Sequence, residues 1–272
     1  MRIRKVPRII PAFLLVYLAL TPSLSADGHF ELGFHYGTWN LNLLGDTVEN
    51  GLSEALESAF KDAILEEIQE DYPELQDPIY DQTVEFDSGG NNYGFEIRWY
   101  PGGHDGSFSL GVSVEKTKME IELTEVEMGM TFQDGSGFLG QADGDIKLNP
   151  FTFLLSVRWD IMPKAPVHPY ITLGAGAATF SSIKNDIVSY AWLGELRVEG
   201  GPTESYEDSG TKTIEEIKEE IEEEEEDFPL SILPFIQLNI GLKGKVTQNI
   251  HLMVDAGIWN GFTIRGGIAI RL

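Results

Sequence analysis

The C-terminal residues 250–272 read IHLMVDAGIWNGFTIRGGIAIRL, and this stretch decides the fold. Apolar residues occupy alternate positions from Ile250 to Ile258 and, apart from Gly266, again from Phe262 to Leu272. A period of two is typical of a β-strand, because successive side chains point to opposite faces of a sheet. Asn-Gly between two such runs is a tight-turn signal. The stretch therefore predicts an antiparallel β-hairpin.

The length of the turn sets which residues of the hairpin face each other. A link of three residues, 259–261, pairs Ile258 with Phe262, so that both apolar rows lie on one face. A link of only two residues would instead pair residues of opposite faces. The three-residue register places Asp255 directly opposite Arg265. We therefore expect an ion pair between them, with Glu96, Arg98 and Glu115 as candidate neighbours.

The same alternation recurs upstream and gives eight segments in all. The other six cover residues 29–40, 93–99, 108–114, 151–161, 170–180 and 236–246. Segments of roughly 9–11 residues are long enough to cross a bilayer as tilted strands. Beyond the N-terminus no apolar run approaches the length of a membrane-spanning helix. The pattern therefore favours a membrane protein made of strands.

The links between the eight segments alternate between short and long. The long links cover residues 41–92, 119–149 and 181–233, and the alternation places all three at one end of the fold. Aromatic residues lie near the segment ends, as in the girdles of membrane barrels. Those toward the short links are Trp99, Tyr100, Trp159 and Tyr170, and those toward the long links are Trp39, Tyr93, Phe151, Phe180 and Trp259. The prediction is an all-β fold, an eight-stranded antiparallel up-and-down transmembrane β-barrel.

The segment PYITLGAGA (residues 169–177) and the closing strand that ends at Leu272 resemble the eight-stranded outer-membrane β-barrels typified by the OmpA membrane domain, OmpX and OmpW. The resemblance covers residues 27–272, although those proteins usually end in Phe. It implies a place in the outer membrane of a Gram-negative bacterium, in contact with lipid and lipopolysaccharide, after insertion by the barrel-assembly machinery. It does not imply a particular activity.

Composition narrows the possible functions. The chain has 19 Lys and Arg against 44 Asp and Glu, a formal net charge of −25, and no cysteine. This acidity argues against nucleic-acid binding, and the lack of cysteine removes disulfides and thiolate sites. Residues 1–26 combine a basic start, an apolar run and Ser-Leu-Ser-Ala at 23–26, which predicts a cleaved signal peptide. An uncleaved anchor is the alternative.

The inward rows of the predicted barrel are polar. An eight-stranded barrel is narrow enough to be filled by its own side chains, so a wide pore is not expected. The inward acids are Glu31, Glu96, Glu115, Asp160 and Asp255, and the inward bases are Arg98, Arg158, Lys243, Lys245, Arg265 and Arg271. Our candidate site is an interior charge network of Glu96, Arg98, Glu115, Arg158, Asp255 and Arg265. Mutual charge compensation and an ion-conducting gate are its two interpretations.

Two of the long links are strongly acidic and carry helix signals. Residues 41–92 contain fourteen acids and residues 181–233 contain sixteen. The first link has apolar residues at helical spacing before Pro73, namely Val48, Leu52, Leu56, Phe60, Ala63, Ile64 and Ile68. The third has Ile214, Ile217 and Ile221 within residues 213–226. We expect extracellular helices that bury these stripes against the barrel rim, each other or an extracellular partner. Binding of divalent cations by the acidic links is a further alternative, although their acids do not have the spacing of an EF-hand.

Catalysis is the competing class of function. An enzyme at the outer rim needs a histidine near a serine or carboxylate there. His104 and His168 fall in short links, His29 and His251 lie at the same end, and His35 points inward, where we expect a carboxylate partner. We therefore predict no catalytic, cofactor or metal site. The predicted function is that of a monomeric structural or surface-interaction protein of the cell envelope, and a narrow OmpW-like channel for small solutes is the alternative.

Overall fold

The computed structural model describes residues 28–223 and 232–272, which form eleven strands and two α-helices. The segment predicted to be a signal peptide, 1–26, lies outside these residues. The helices are α1 (Gly45–Asp71) and α2 (Ile214–Glu223), and single 3-10 turns cover Asn42–Leu44 and Phe180–Ser182. The strands are β1 (His29–Asn40), β2 (Ile79–Tyr100), β3 (Phe108–Thr131), β4 (Gly137–Leu148), β5 (Phe151–Asp160), β6 (Val167–Thr179), β7 (Ile187–Arg197), β8 (Thr203–Thr213), β9 (Ile232–Lys245), β10 (Ile250–Trp259) and β11 (Phe262–Arg271). Neither helix has the apolar length that a membrane crossing requires.

Eight of these strands close into one antiparallel hydrogen-bonded ring. Its order is β1–β2–β3–β5–β6–β9–β10–β11, and β11 pairs back onto β1. Each ring strand contains one of the eight segments that alternate in the sequence. Because the ring is closed, each strand is hydrogen-bonded on both sides within the ring and has no unpaired edge there.

The hairpin of β10 and β11 has the register that the three-residue turn predicts. Ile258 pairs with Phe262 and Asp255 with Arg265. Within the turn, the Trp259 backbone N–H donates to the Gly261 carbonyl at 2.7 Å. Asn260 and Gly261 have φ of 38° and 144°, which Asn and Gly tolerate better than other residues. The Asn-Gly dipeptide thus fixes the pairing of the two strands.

Strands β2 and β3 are much longer than the ring needs and continue into a second sheet. They have 22 and 24 residues, and the far halves of both strands pair with each other beyond the ring. The far half of β3 also pairs with β4, which pairs with β7, which pairs with β8. These five elements, β2–β3–β4–β7–β8, are the second sheet.

Helices lie in the first and third long links as expected, but much of the remainder of the long links forms strands of the second sheet instead of loops. Residues 119–149 continue β3 and form β4, and most of residues 187–213 form β7 and β8. The alternation of β3 is hidden by a bulge, where the register shifts between Leu123 and Val126. The buried apolar residues consequently change from odd to even numbers along the strand. A search for an unbroken period of two misses such a strand.

Helix α1 covers one face of the second sheet. Its Ile64 and Ile68 are fully buried, and Phe60 packs beside them. Their neighbours from the sheet and its connections are Leu75, Val84, Leu123, Val126, Met128, Met130, Phe132, Phe138, Ala142, Trp192, Leu196 and Tyr206. Just after the helix, the Tyr72 hydroxyl donates to Glu204 of β8 at 2.7 Å. Of the predicted stripe, Phe60, Ile64 and Ile68 therefore pack against strands, including those of the third link, whereas Ala63 is exposed. The side chains of Val48, Leu52 and Leu56 lie outside the described part of the chain.

Helix α2 begins with a reciprocal capping box. The Glu216 backbone N–H donates to the Thr213 hydroxyl at 3.2 Å, and the Thr213 backbone N–H donates to the Glu216 carboxylate at 2.7 Å. The sequence predicts a helix over 213–226, of which the residues after 223 lie outside the described part of the chain. Ile214 is buried at its start.

Candidate functional site: the charged interior of the ring

The pleat of the ring strands points one row of each strand into a polar interior. Ten charged side chains lie there, and none is more than 6% exposed. They are Glu31, Glu96, Glu115, Asp160 and Asp255 with Arg98, Arg158, Lys243, Arg265 and Arg271. Five acids face five bases, so the interior is formally neutral inside a strongly acidic protein. Lys245, which the sequence analysis placed inward, is exposed because it is the last residue of β9.

The layer farthest from the second sheet centres on Glu31. Both of its carboxylate oxygens accept from Lys243 Nζ, at 2.7 and 2.6 Å, and Arg271 Nη2 lies 3.0 Å away. The Tyr100 hydroxyl is 3.1 Å from Lys243 Nζ, and the Arg271 guanidinium stacks 4.3 Å above the Tyr100 ring. Asp160 lies 3.9 Å from Arg271 Nη2. One carboxylate thus binds two cations, one from the neighbouring strand β11 and one from β9, three strands away around the ring.

The middle layer centres on Glu96 and contains two arginines. Arg98 Nε and Arg158 Nη1 each lie 3.0 Å from a Glu96 oxygen. Arg98 also donates to Ser156 at 2.7 Å, and Arg158 Nε donates to Thr172 at 3.0 Å. Charge-assisted hydrogen bonds to hydroxyls satisfy the donors that the carboxylate leaves over.

The third layer contains the pair that the hairpin register predicts. Arg265 Nε lies 2.9 Å from Asp255 Oδ1, and Arg265 Nη1 lies 3.4 Å from Glu115. Asp255 also accepts from the Tyr170 hydroxyl at 2.7 Å and from Asn239 at 2.9 Å. The structure therefore brings all six residues of the candidate network into two adjacent layers.

Histidine 35 belongs to this third layer. Its Nε2 is 3.2 Å from Glu115 Oε2 and 3.3 Å from Arg265 Nη1. Gly94 makes room for the contact, since a Cβ there would lie 2.8 Å from His35 Nε2. The inward position predicted for His35, beside a carboxylate, is the one observed. The described residues contain no group of three or more acidic or histidine side chains that could hold a metal ion.

An apolar layer closes the interior on the side of the second sheet. It consists of Trp39, Met119, Leu154, Ala178, Phe235 and Trp259. The Trp39 indole donates to the Trp259 carbonyl at 3.2 Å, and the Trp259 indole donates to the Thr117 hydroxyl at 3.0 Å. Both ring nitrogens are thereby satisfied without water.

The structure overturns part of the predicted aromatic girdle. Trp39, Trp259, Tyr100 and Tyr170 point inward and are at most 2% exposed, whereas Trp159, Tyr93 and Phe151 do point outward. The prediction used only nearness to strand ends. The parity of each residue within its strand would have separated the inward aromatics from the outward ones.

Comparisons with known proteins give structural neighbours only. No family model and no curated protein matches the chain. Neisserial surface protein A is 10% identical, with 90% of this chain and 97% of that chain covered and a TM-score of 0.31. The translocator domain of autotransporter NalP from Neisseria meningitidis is 8% identical, with 97% and 95% covered and a TM-score of 0.27. A mutant of the TodX monoaromatic hydrocarbon channel is 9% identical, with 93% and 91% covered and a TM-score of 0.16. These neighbours are outer-membrane β-barrels.

Proposed function

We propose that the chain is an integral outer-membrane β-barrel with a closed, charge-paired interior. In this proposal the ring spans the bilayer and the second sheet projects from the cell. The protein then serves as a structural or surface-interaction protein of the bacterial envelope. The observation that carries the proposal is the apolar outer surface of the ring.

The outward rows of the ring form an uncharged belt. Between the two ends of the ring these rows contain apolar residues and glycine, with the uncharged Thr38 beside Ile264 as a polar exception. Large side chains exposed on the belt include Phe30, Phe34, Phe95, Ile97, Val112, Phe153, Leu155, Leu173, Leu238, Ile240, Leu252, Val254, Ile264 and Ile268. Soluble monomers rarely expose contiguous apolar patches above a few hundred Å². Lipid is the solvent that suits such a surface.

The orientation follows from the two ends of the ring. One end has short links, and at the other end β2 and β3 leave the ring for the acidic second sheet. Outer-membrane barrels keep short turns in the periplasm and long connections outside. We therefore place the second sheet, α1 and α2 on the cell surface, next to lipopolysaccharide, after insertion by the assembly machinery.

The filled interior supports a structural role over the channel alternative. The ten interior charges are almost inaccessible to water, and the apolar layer of Trp39 and Trp259 lies across the same path. Conduction would require several buried ion pairs and this layer to separate together. The interior carboxylates are also engaged by arginine and lysine, so we assign them no catalytic role.

The test combines folding and conductance. Protein refolded into liposomes is run unheated and boiled on a gel, to detect a folded barrel, and is then fused with a planar bilayer. We expect a heat-dependent mobility shift and no conductance steps. Discrete steps that change in Asp255→Asn or Arg265→Gln would make the protein a channel. Protein that folds in buffer without lipid or detergent would contradict the membrane assignment.

A further inference from the structure

The face of the second sheet opposite α1 is strongly and unevenly charged. We call it the acidic face, and it carries Asp81, Glu85, Asp87, Glu120, Glu122, Glu125, Glu127, Asp143, Asp145, Glu195 and Glu207, with Lys118, Lys147 and Arg197 as its bases. Helix α1 packs on the other face, against the apolar core. The acidic face is therefore the uncovered side of a helix-on-sheet layer among the described residues.

The charges on this face are only partly compensated from within, because Lys118 pairs with Glu120 and Lys147 with Asp145, and most of the other acids have no base beside them in the described part of the chain. Glu85 pairs across the strands with Glu125, Asp87 with Glu122, and Glu122 with Asp145. Like charges directly opposite in a sheet are destabilising, and a face that only meets water usually mixes the two signs. Compensation by a positively charged partner would remove this cost.

The face also contains a groove lined by carboxylates, hydroxyls and a few apolar residues. The groove has a volume of about 840 Å³, and its lining includes Glu125, Glu127, Asp143, Glu207 and Leu193. None of the residues that line it is Lys or Arg. Leu193 is 59% exposed, and Leu139 nearby on β4 is 75% exposed. Exposed leucines between carboxylates suit a ligand that has both apolar and cationic groups.

We propose that the acidic face is a docking surface for a basic polypeptide segment. Its size fits such a partner, since five strands about 4.8 Å apart and about 11 residues long cover on the order of 800 Å², the area that one partner buries in a standard interface. A second copy would bring the same negative charge to the face. The inference deepens the proposed surface-interaction role. It rests on that role only in placing the encounter with the partner outside the cell.

The test uses a defined cationic probe and matched variants of the full chain. A fluorescein-labelled twelve-residue peptide of alternating Lys and Thr is titrated against protein refolded in zwitterionic micelles, and anisotropy gives Kd. The face variant is Glu125→Gln, Glu127→Gln, Glu207→Gln. The control variant, Glu57→Gln, Glu70→Gln, Glu219→Gln, removes the same charge from α1 and α2. The heat-dependent gel shift of each sample reports ring folding separately.

We expect saturable binding that weakens with salt, with Kd raised about ten-fold or more by the face variant and less than about two-fold by the control. Leu193→Ser should raise Kd as well, without changing the charge. Equal losses in the two triple variants would mean that net charge alone attracts the peptide and would overturn the proposal. Stoichiometric Ca²⁺ binding at the face without peptide binding would assign it to a cation instead. Because the gel shift reads the ring independently, a folded ring that fails to bind peptide rejects this inference alone.

Discussion

The near and far halves of β3 have opposite polarity on the same two rows of side chains. In the ring, the inward row contains Ser113 and Glu115, and the outward row contains Val112 and Val114. In the second sheet, the inward row becomes apolar, with Val126 and Met128, and the outward row becomes acidic. A continuous strand thus moves from an interior that is polar to one that is apolar. The difference teaches that the outer surface of one strand is suited to two surroundings, which are lipid and water in the proposed placement.

The change locates a boundary on each long strand. On β3 the outward row turns from apolar to charged after Val114, and on β2 it does so between Tyr93 and Asp87. The ring and the second sheet should therefore respond differently to the same kind of substitution. Charge pairs hold the ring together inside, and buried apolar contacts hold the second sheet.

Removing one interior cation should have the largest effect. Arg265→Leu leaves Asp255 and Glu115 buried without their arginine, which costs about 3–5 kcal/mol of unfolding free energy when a buried pair is broken. Urea titration followed by the gel shift measures it. Lys118→Leu, which breaks the exposed pair with Glu120, should cost at most about 1 kcal/mol. Similar losses of unfolding free energy in the two variants would contradict the contrast between the ring interior and the exposed surface. The double variant Asp255→Leu, Arg265→Leu should recover part of the stability lost in Arg265→Leu.

Truncating the core of the second sheet should destabilise that sheet alone. Ile68→Ala removes a fully buried side chain, and such changes cost about 2–5 kcal/mol. We expect faster hydrogen exchange in α1 and β4, with unchanged exchange in β10 and β11. The exposed Leu43→Ala is the control. Loss of the ring gel shift in Ile68→Ala would show that the two regions fold as one unit.

An arginine introduced on the outward surface should be costly in the ring and tolerated in the second sheet. Leu155→Arg places a cation at the middle of the belt and should cost about 2–4 kcal/mol in liposomes. Gln141→Arg, on the acidic face, should be neutral or slightly stabilising because carboxylates surround it. Reversible urea unfolding in liposomes measures both. Equal tolerance at the two positions would argue against a lipid-facing belt.

The smallest effect concerns the attachment of α1 to β8 at high pH. The hydrogen bond from Tyr72 to Glu204 raises the pKa of Tyr72 to about 12, from an ordinary value of 10.0. Since the folded pKa is the higher one, this stabilisation is complete below pH 10 and is lost as the pH rises through about 12. Near-UV circular dichroism between pH 9 and 12 should therefore change less in Tyr72→Phe than in the native chain. Identical pH profiles would show that the hydrogen bond of Tyr72 does not stabilise the attachment of α1.

The sequence predicts the ring well because its strands follow a simple rule of alternation. All eight ring strands contain the segments that alternate, and the Asn-Gly turn leads directly to the contact of Asp255 with Arg265. The second sheet escapes that rule, since its bulge interrupts the period and its outward row is charged instead of apolar. Local sequence also gives no sign that β4 pairs with β7, because that pairing is long-range.

The interior site is predictable in its charges and less so in its neutral partners. Glu96, Arg98 and Arg158 are found by strand parity alone. Tyr100, Tyr170, Asn239 and the two inward tryptophans share the same parity, but aromatic residues near strand ends also suit a girdle. Only the three-dimensional arrangement shows that Tyr170 and Asn239 donate to Asp255 and that Tyr100 donates to Glu31.

The most direct test of the boundary is a spin-label scan along the outward row of β3. The chain contains no cysteine, so single cysteines at Val112, Val114, Glu120 and Glu122 can be labelled cleanly. In liposomes, power saturation should show high accessibility to oxygen at the first two positions and to a water-soluble nickel complex at the last two. Equal accessibility to the nickel complex at all four positions would contradict a ring embedded in lipid.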